Sequence, residues 1–192
     1  MDAEFMENTT QQPAIKSKWA GRFIWAAVIE GIFAVVATVL ILDPLQYVTG
    51  VTYYYPPAMV IASNGAGTWF FTGYISFLVV GVVAMAVTAI FYLYIEGIQG
   101  RPYKGLTNAL AWAHLLLMNV GVAGSMFLMM WGGYLAGWAS APVSNGGEGL
   151  VPEQIHVQIL GHLTDPIGAL ILVAALGALL GGLGYLVRSR TR

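Results

Sequence analysis

Four long apolar runs limit what this chain can fold into more than any other feature of the sequence. They cover about residues 19–42, 68–98, 107–138 and 152–187. Each is at least as long as the roughly 20 residues that carry a helix across about 30 Å of hydrocarbon. Because lipid offers backbone groups no hydrogen-bond partners, runs of this length cross a membrane as helices. The sequence therefore predicts an all-α protein, a four-helix transmembrane bundle forming one domain over residues 19–187.

The overall composition agrees with a membrane location and excludes several functions. Hydrophobic residues make up 58% of the 192 residues and charged residues only 9%, whereas about a quarter of a soluble domain is charged. The high hydrophobic fraction makes the lipid bilayer the expected surroundings of the chain. A net charge of -1 gives no basic surface for nucleic acid, so no nucleic-acid partner is expected. The chain has no cysteine, which excludes disulfides, thiolate metal sites and thioether-linked haem.

The basic residues indicate which way the bundle is oriented. They occur only before the first run, between the second and third, and after the fourth: Lys16, Lys18, Arg22, Arg101, Lys104, Arg188, Arg190 and Arg192. By the positive-inside rule, both the N and C termini are cytoplasmic and the two long loops face outward. We expect a multi-pass protein of the plasma membrane, with a cytoplasmic tail over residues 1–18 and a basic tail over 188–192. Residues 1–5 precede a second methionine and could be an expression-derived leader.

Small residues recur at four-residue spacing on the third and fourth spans. Gly121 and Ser125 lie one turn apart on the third, and Gly177 and Gly181 one turn apart on the fourth. This spacing lets helix backbones approach closely. It predicts packing within the chain or between subunits, not a ligand site.

Ionisable residues within a span are costly to place in lipid and are functional candidates by default. On the cytoplasmic side, His114 and Glu30 lie about 10 and 15 Å from their helix ends at 1.5 Å per residue, so these two side chains could pair. Such a pair would fix the helix register, or it would serve an inner haem or a proton relay. Glu96 lies close enough to the interface to reach water and is assigned no chemistry.

A second polar group is predicted in the outer half. His162 lies about 15 Å from the outer end of the fourth span, and Asp165 is one turn deeper on nearly the same face. Met126, Met129 and Met130 of the third span fall at the same level. Histidine and methionine are axial ligands of haem and also bind copper. The alternative is that His162 is hydrogen-bonded to a neighbouring helix and that the methionines fill gaps in the packing.

These considerations give a set of candidate ligands for haem b or copper. Candidates for cofactor binding are His162, Met129, Met130 and His114, and candidates for metal binding are His162, Asp165 and His156. His156 lies near the outer boundary, where it could instead be an interfacial residue at the helix start. Because His114 and His162 are about 20 Å apart along the membrane normal, they should not ligate one haem within a single subunit.

Two short motifs resemble subunit I of the haem-copper oxygen reductases, the cytochrome c oxidase family. They are Tyr54-Tyr55-Pro56-Pro57 in the first outer loop and Gly161-His162-Leu163-Thr164-Asp165-Pro166 in the fourth span, separated by two spans and an outer loop. The four spans resemble the third to sixth of that family's twelve helices. The resemblance implies that His162 corresponds to the copper-ligating histidine of the sixth helix, and that the chain takes part in respiratory electron transfer.

The sequence also departs from that family. Pro166 stands where many members have the tyrosine that cross-links to the copper ligand, and the chain is too short for the remaining copper and haem histidines. Twelve helices in three arcs of four suggest that three copies of this chain could form an oxidase-like ring around three copies of His162. A homo-oligomer, or association with other membrane subunits, is therefore expected.

Three functions remain open from the sequence. The first is a redox subunit that binds haem or copper and meets a redox partner on the outer side. The second is a non-catalytic assembly subunit that kept the helices without the chemistry. A small transporter is the third, although broken helices or several charges facing a pathway would be expected for it. Asp165-Pro166 is the one such interruption, and the proline could widen the helix and aim His162 inward.

Overall fold

The computed structural model describes residues 16–42 and 65–190. Within these ranges four helices are long and apolar enough to cross a membrane: Lys18–Leu42 (α1), Ala66–Ile98 (α2), Gly105–Ser140 (α3) and Pro152–Arg190 (α4). A short 3₁₀ turn, Val143–Asn145, lies between the last two, and the described residues include no strand. The predicted all-α, four-helix fold is confirmed. The Tyr54–Pro57 motif and most of the two tails lie outside the described residues.

The third helix is the centre of the bundle. It has its largest interface with α4 and its next largest with α2, whereas α1 packs mainly against α2 and touches α3 only lightly. The four helices therefore do not form a closed square bundle, because α2 and α4 lie on two sides of α3 and α1 lies beside α2. That arrangement leaves a groove between α2 and α4 with α3 as its floor.

Glycines make the close helix contacts. A Cβ atom on Gly121 would lie 2.8 Å from the Ala174 Cα of α4, and one on Gly73 of α2 would lie 2.8 Å from the carbonyl oxygen of Met126. Real Cβ atoms do not approach other atoms so closely, so only glycine fits at these contacts. The small-residue pattern thus packs helices within the chain.

One end of the bundle is held together by polar contacts. The Glu96 carboxylate, in the last turn of α2, accepts hydrogen bonds from the Ser17 hydroxyl (2.7 Å), the Trp19 amide (3.0 Å) and the Tyr103 amide (3.3 Å). The Arg101 guanidinium donates to the Ser189 carbonyl at the end of α4. These bonds bring the start of α1, the α2–α3 loop and the end of α4 together. Every basic residue in the described ranges belongs to these segments, as the charge pattern predicted, while the side of the membrane they face stays a prediction.

Wide π-helical turns interrupt two of the helices, a feature that the sequence did not predict. They are Phe77–Val83 and Tyr94–Ile98 in α2, and His156–Leu160 in α4. Such turns occur frequently at functional sites. The first lies beside Glu30, because a Cβ atom on Gly81 would be 3.3 Å from a carboxyl oxygen of that residue.

Candidate functional site

His114 is the centre of a buried polar group in the half of the bundle nearest the basic end. Its side chain is 9% exposed, and its Nδ1 atom is hydrogen-bonded to the Tyr92 hydroxyl at 3.2 Å. The ring packs against Phe23 with centroids 5.0 Å apart. Gly181 of α4 lies directly against the imidazole, so that a Cβ atom there would collide with Nδ1. The absence of a side chain at residue 181 is what makes room for this histidine.

A cavity of about 350 Å³ adjoins His114 in the groove between α2 and α4. It is lined by Thr88, Phe91, Tyr92, Tyr103, His114, Met118, Ala178, Gly181, Gly182 and Tyr185. Phe91, Ala178 and Gly182 are exposed on the bundle surface, whereas Tyr92, His114 and Gly181 are buried. The cavity therefore has a polar closed end and a mouth on the exposed surface of the helices.

Tyrosines from three elements line the cavity. The rings of Tyr92 (α2) and Tyr103 (the α2–α3 loop) are 4.9 Å apart. Tyr185 (α4) lines the same cavity and lies edge-on to Phe91 at 5.9 Å. Burial, with the nearby Glu96 carboxylate and Tyr185, raises the pKa of Tyr103 to about 12. The Tyr103 hydroxyl consequently stays protonated at physiological pH and can donate a hydrogen bond.

Glu30 does not pair with His114, so that prediction is wrong. Both carboxyl oxygens of Glu30 are buried and have no hydrogen-bond partner among the described residues. The depth estimate put the two side chains about 5 Å apart along the membrane normal. His114 instead lies beside Phe23, which is seven residues, or about 10 Å of helix, from Glu30. Tyr92 occupies the position beside the imidazole that Glu30 was expected to take.

The outer candidate ligands of α4 lie on the exposed surface of the described bundle. His156, His162 and Asp165 are exposed on α4, and it is Leu163 whose side chain lies against Gly132 of α3. Pro166 does not aim His162 inward, because α4 continues through the proline and leaves that side chain on the outer surface of the helix.

The methionines share the level of His162 but face another helix. Met130 is buried, and Met129 lies against Gly73 of α2. The described residues contain no group of three His, Cys, Asp or Glu side chains that could hold a metal. Within the described ranges, His162 therefore belongs to no such ligand group.

The length of α4 changes the depth assigned to His162. His162 precedes Arg188, at the basic end, by 26 positions, or about 39 Å of helix. This length exceeds the roughly 30 Å of hydrocarbon. If the basic end lies at the membrane surface, His162 reaches the outer headgroup region and not the hydrocarbon. An exposed imidazole and carboxylate carry little cost there, because water can solvate them.

Comparison with protein-family models, with curated proteins and with solved structures gave no match. The candidate site therefore depends on the geometry of this chain alone. Sequence reasoning found His114 but did not single out Tyr92, Tyr103 or Tyr185. One part of the cavity lining could have been inferred from the sequence. Met118 lies four positions after His114 and therefore on the same helix face.

Proposed function

We propose that this protein is a redox subunit of a membrane complex and that the cavity beside His114 binds the head group of a lipid-soluble quinone. The observation that carries the proposal is a cavity with a buried His–Tyr pair at its closed end and a mouth on the exposed surface of the helices. A quinone moves within the bilayer and needs lateral access, and its carbonyl oxygens need hydrogen-bond donors. Plasma-membrane location and a role in respiratory electron transfer, as the oxidase resemblance implies, belong to the same proposal.

The cavity is suited in size and chemistry to a substituted aromatic ring. Its volume of about 350 Å³ lies at the lower end of the usual range for small-molecule sites. Phe91 and Met118 supply apolar contacts at the sides. The hydroxyls of Tyr92 and Tyr103 and the His114 imidazole are the groups that would bind a carbonyl oxygen. The electron acceptor would belong to a partner subunit.

A binding assay on the purified protein in nanodiscs tests this proposal. A short-chain ubiquinone or menaquinone analogue is titrated into wild-type protein, Tyr92→Phe and His162→Ala. Loss of one hydrogen bond, worth about 1 to 1.5 kcal/mol, should weaken binding by Tyr92→Phe roughly tenfold. His162→Ala should bind like wild type because that residue is remote from the cavity. Equal affinity for Tyr92→Phe and wild type, or no saturable binding by any of the three, would refute the quinone site.

An assembly role is the second candidate, and exposed polar groups on α4 favour it. His162 and Asp165 project from the bundle surface, one turn apart, where another subunit could reach them. Under this candidate, Asp165→Asn weakens assembly of the parent complex, while Tyr92→Phe leaves its turnover unchanged. The quinone proposal predicts the opposite pattern.

The haem or copper proposal at His162 has its own readout. Absorption spectra and metal analysis of the purified oligomer would show a Soret band or stoichiometric copper that is lost in His162→Ala. Protein that is colourless and metal-free in its native oligomeric state would eliminate the outer cofactor, while the quinone titration would be unaffected.

A further inference from the structure

Glu30 is the buried ionisable group that the proposed quinone site does not use. It is 4% exposed, and both of its carboxyl oxygens lack a hydrogen-bond partner among the described residues. It lies 12 residues into α1, about 18 Å from the basic end. That depth is near the middle of a hydrocarbon layer about 30 Å thick.

The surroundings of this carboxyl group are apolar. A Cβ atom on Gly81 would lie 3.3 Å from Glu30 Oε2 and 3.2 Å from the Phe77 ring, so the glycine leaves just enough space for the carboxyl group. One turn towards the basic end, Ala27 and Met85 belong to the apolar core that separates Glu30 from Tyr92. The described residues beside the carboxyl group, Gly81 and Phe77, therefore offer it no polar side chain.

The part of the chain that the structure describes offers an ionised carboxylate in this position neither a counter-charge nor hydrogen-bond donors, and burying it so costs several kcal/mol. A metal cation would not relieve the cost, because alkali and alkaline-earth ions need several oxygen ligands. No group of three His, Cys, Asp or Glu side chains occurs in the described ranges to supply them. A proton needs only the one carboxyl group.

We infer that Glu30 is a proton-binding site in the membrane core, occupied by a proton at neutral pH. Two other ionisable side chains of the described spans lie about 10 Å away along the helices: His114, nearer the basic end, is engaged by Tyr92, and Tyr74, in the other direction, is hydrogen-bonded to Thr38. The adjoining π-turn, Phe77–Val83, lies at the same level, and such turns occur frequently at functional sites. This inference does not depend on the quinone proposal.

A hydrophobic carbodiimide tests for such a group, because it reacts with protonated carboxyl groups in apolar surroundings. The carboxyl oxygen forms a bond to the central carbon of the reagent, and the acid proton moves to one reagent nitrogen. The resulting O-acylisourea rearranges by transfer of the acyl group from oxygen to the other nitrogen. The product is a stable N-acylurea, which adds the mass of one reagent molecule and releases nothing.

The experiment uses the full chain in nanodiscs at neutral pH, with dicyclohexylcarbodiimide followed by peptide mass spectrometry. Glu30 should be the main labelled residue, and a water-soluble carbodiimide should label exposed Glu153 in preference to it. Glu30→Gln, nearly identical in shape, should abolish the hydrophobic-reagent adduct, whereas Glu153→Gln should keep it. The infrared spectrum of wild-type protein should contain the band of a protonated carboxylic acid. The corresponding spectrum of Glu30→Gln should lack this band.

Two results would overturn the inference. One is an unmodified Glu30 peptide in wild-type protein under conditions that label a control membrane acid in another protein of the same preparation. The other is a carboxylic-acid band that is absent from wild-type protein at neutral pH. The first measurement is made on the native chain, so it remains decisive even if Glu30→Gln fails to fold.

Discussion

Replacing Gly181 by alanine is the sharpest test of the His114 site. The new methyl group would overlap the imidazole at Nδ1, the atom that is hydrogen-bonded to Tyr92. Either the ring leaves its position or α3 and α4 move apart. The adjacent Gly182 has nothing within 4 Å of an added Cβ atom, so Gly182→Ala is a matched control on the same helix turn.

The expected magnitude follows from these contacts. Overpacking costs about 1 to 3 kcal/mol, and loss of the Tyr92 hydrogen bond adds about 1 kcal/mol. Higher helix propensity of alanine returns at most about 1 kcal/mol. Gly181→Ala should therefore lower the free energy of unfolding by about 1 to 3 kcal/mol, whereas Gly182→Ala should leave it unchanged or raise it by up to about 1 kcal/mol.

Unfolding in mixed detergent micelles with increasing SDS, followed by circular dichroism, measures this difference. The double variant His114→Ala with Gly181→Ala supplies the decisive comparison, because removal of the imidazole removes the collision. If the geometry is right, the alanine at 181 costs much less in the His114→Ala background than in wild type. Equal costs in both backgrounds, or equal behaviour of the two glycine variants, would refute the assigned contact.

Three further predictions concern other parts of the bundle. Gly121→Ala should destabilise the protein by about 1 to 3 kcal/mol in the same assay, because its methyl group would meet the Ala174 backbone, whereas Gly168→Ala, with open space, should not. Glu96→Gln should increase protease cleavage near the start of α1, since the charge-assisted bonds to Ser17 and Trp19 weaken. Tyr103 has a folded-state pKa of about 12, above its unfolded value, so its contribution to stability is complete below pH 10 and is lost as the pH rises towards 12. Tyr103→Phe should therefore lose less stability than wild type at alkaline pH, as measured by melting temperatures over a pH series.

Much of the fold could be predicted from the sequence, because it follows from one-dimensional quantities. Span length, apolar composition and the position of basic residues depend only on distance along the chain, and the four helices and the single basic end follow from them. Close packing at Gly121 also has a local cause, since only a residue without a side chain lets two helix backbones touch.

The candidate site depends on whether each side chain points into the bundle or out of it. The depth of a residue along its helix does not give that direction. His162 and Met130 have the same level, but one is exposed on α4 and the other is buried in the bundle. Each π-turn rotates all later residues of its helix relative to a regular α-helix. The face assigned to a residue at 100° per residue is therefore wrong beyond such a turn. Tyr92 and Tyr103 line the cavity beside His114 from two different segments, a convergence that only the tertiary fold defines.

The depth of His162 is open to a direct chemical test, because the chain has no native cysteine. His162 is about 39 Å from Arg188 along α4, beyond the hydrocarbon, whereas Leu179 is about 13 Å from Arg188 and near its middle. Both side chains are exposed on the bundle surface, so lipid or water, not protein, decides their accessibility. A membrane-impermeant maleimide added from the outer side should label His162→Cys rapidly and Leu179→Cys hardly at all.

The same pair of variants also tests the membrane orientation and the three-copy arrangement. Labelling of His162→Cys only from the cytoplasmic side would reverse the orientation drawn from the basic residues. Protection from both sides in the native oligomer, with labelling restored in dissociated monomers, would indicate that other subunits cover His162. Protection in monomers as well would mean that α4 is tilted or shifted enough to keep His162 in the hydrocarbon, and the depth derived from helix length would be wrong.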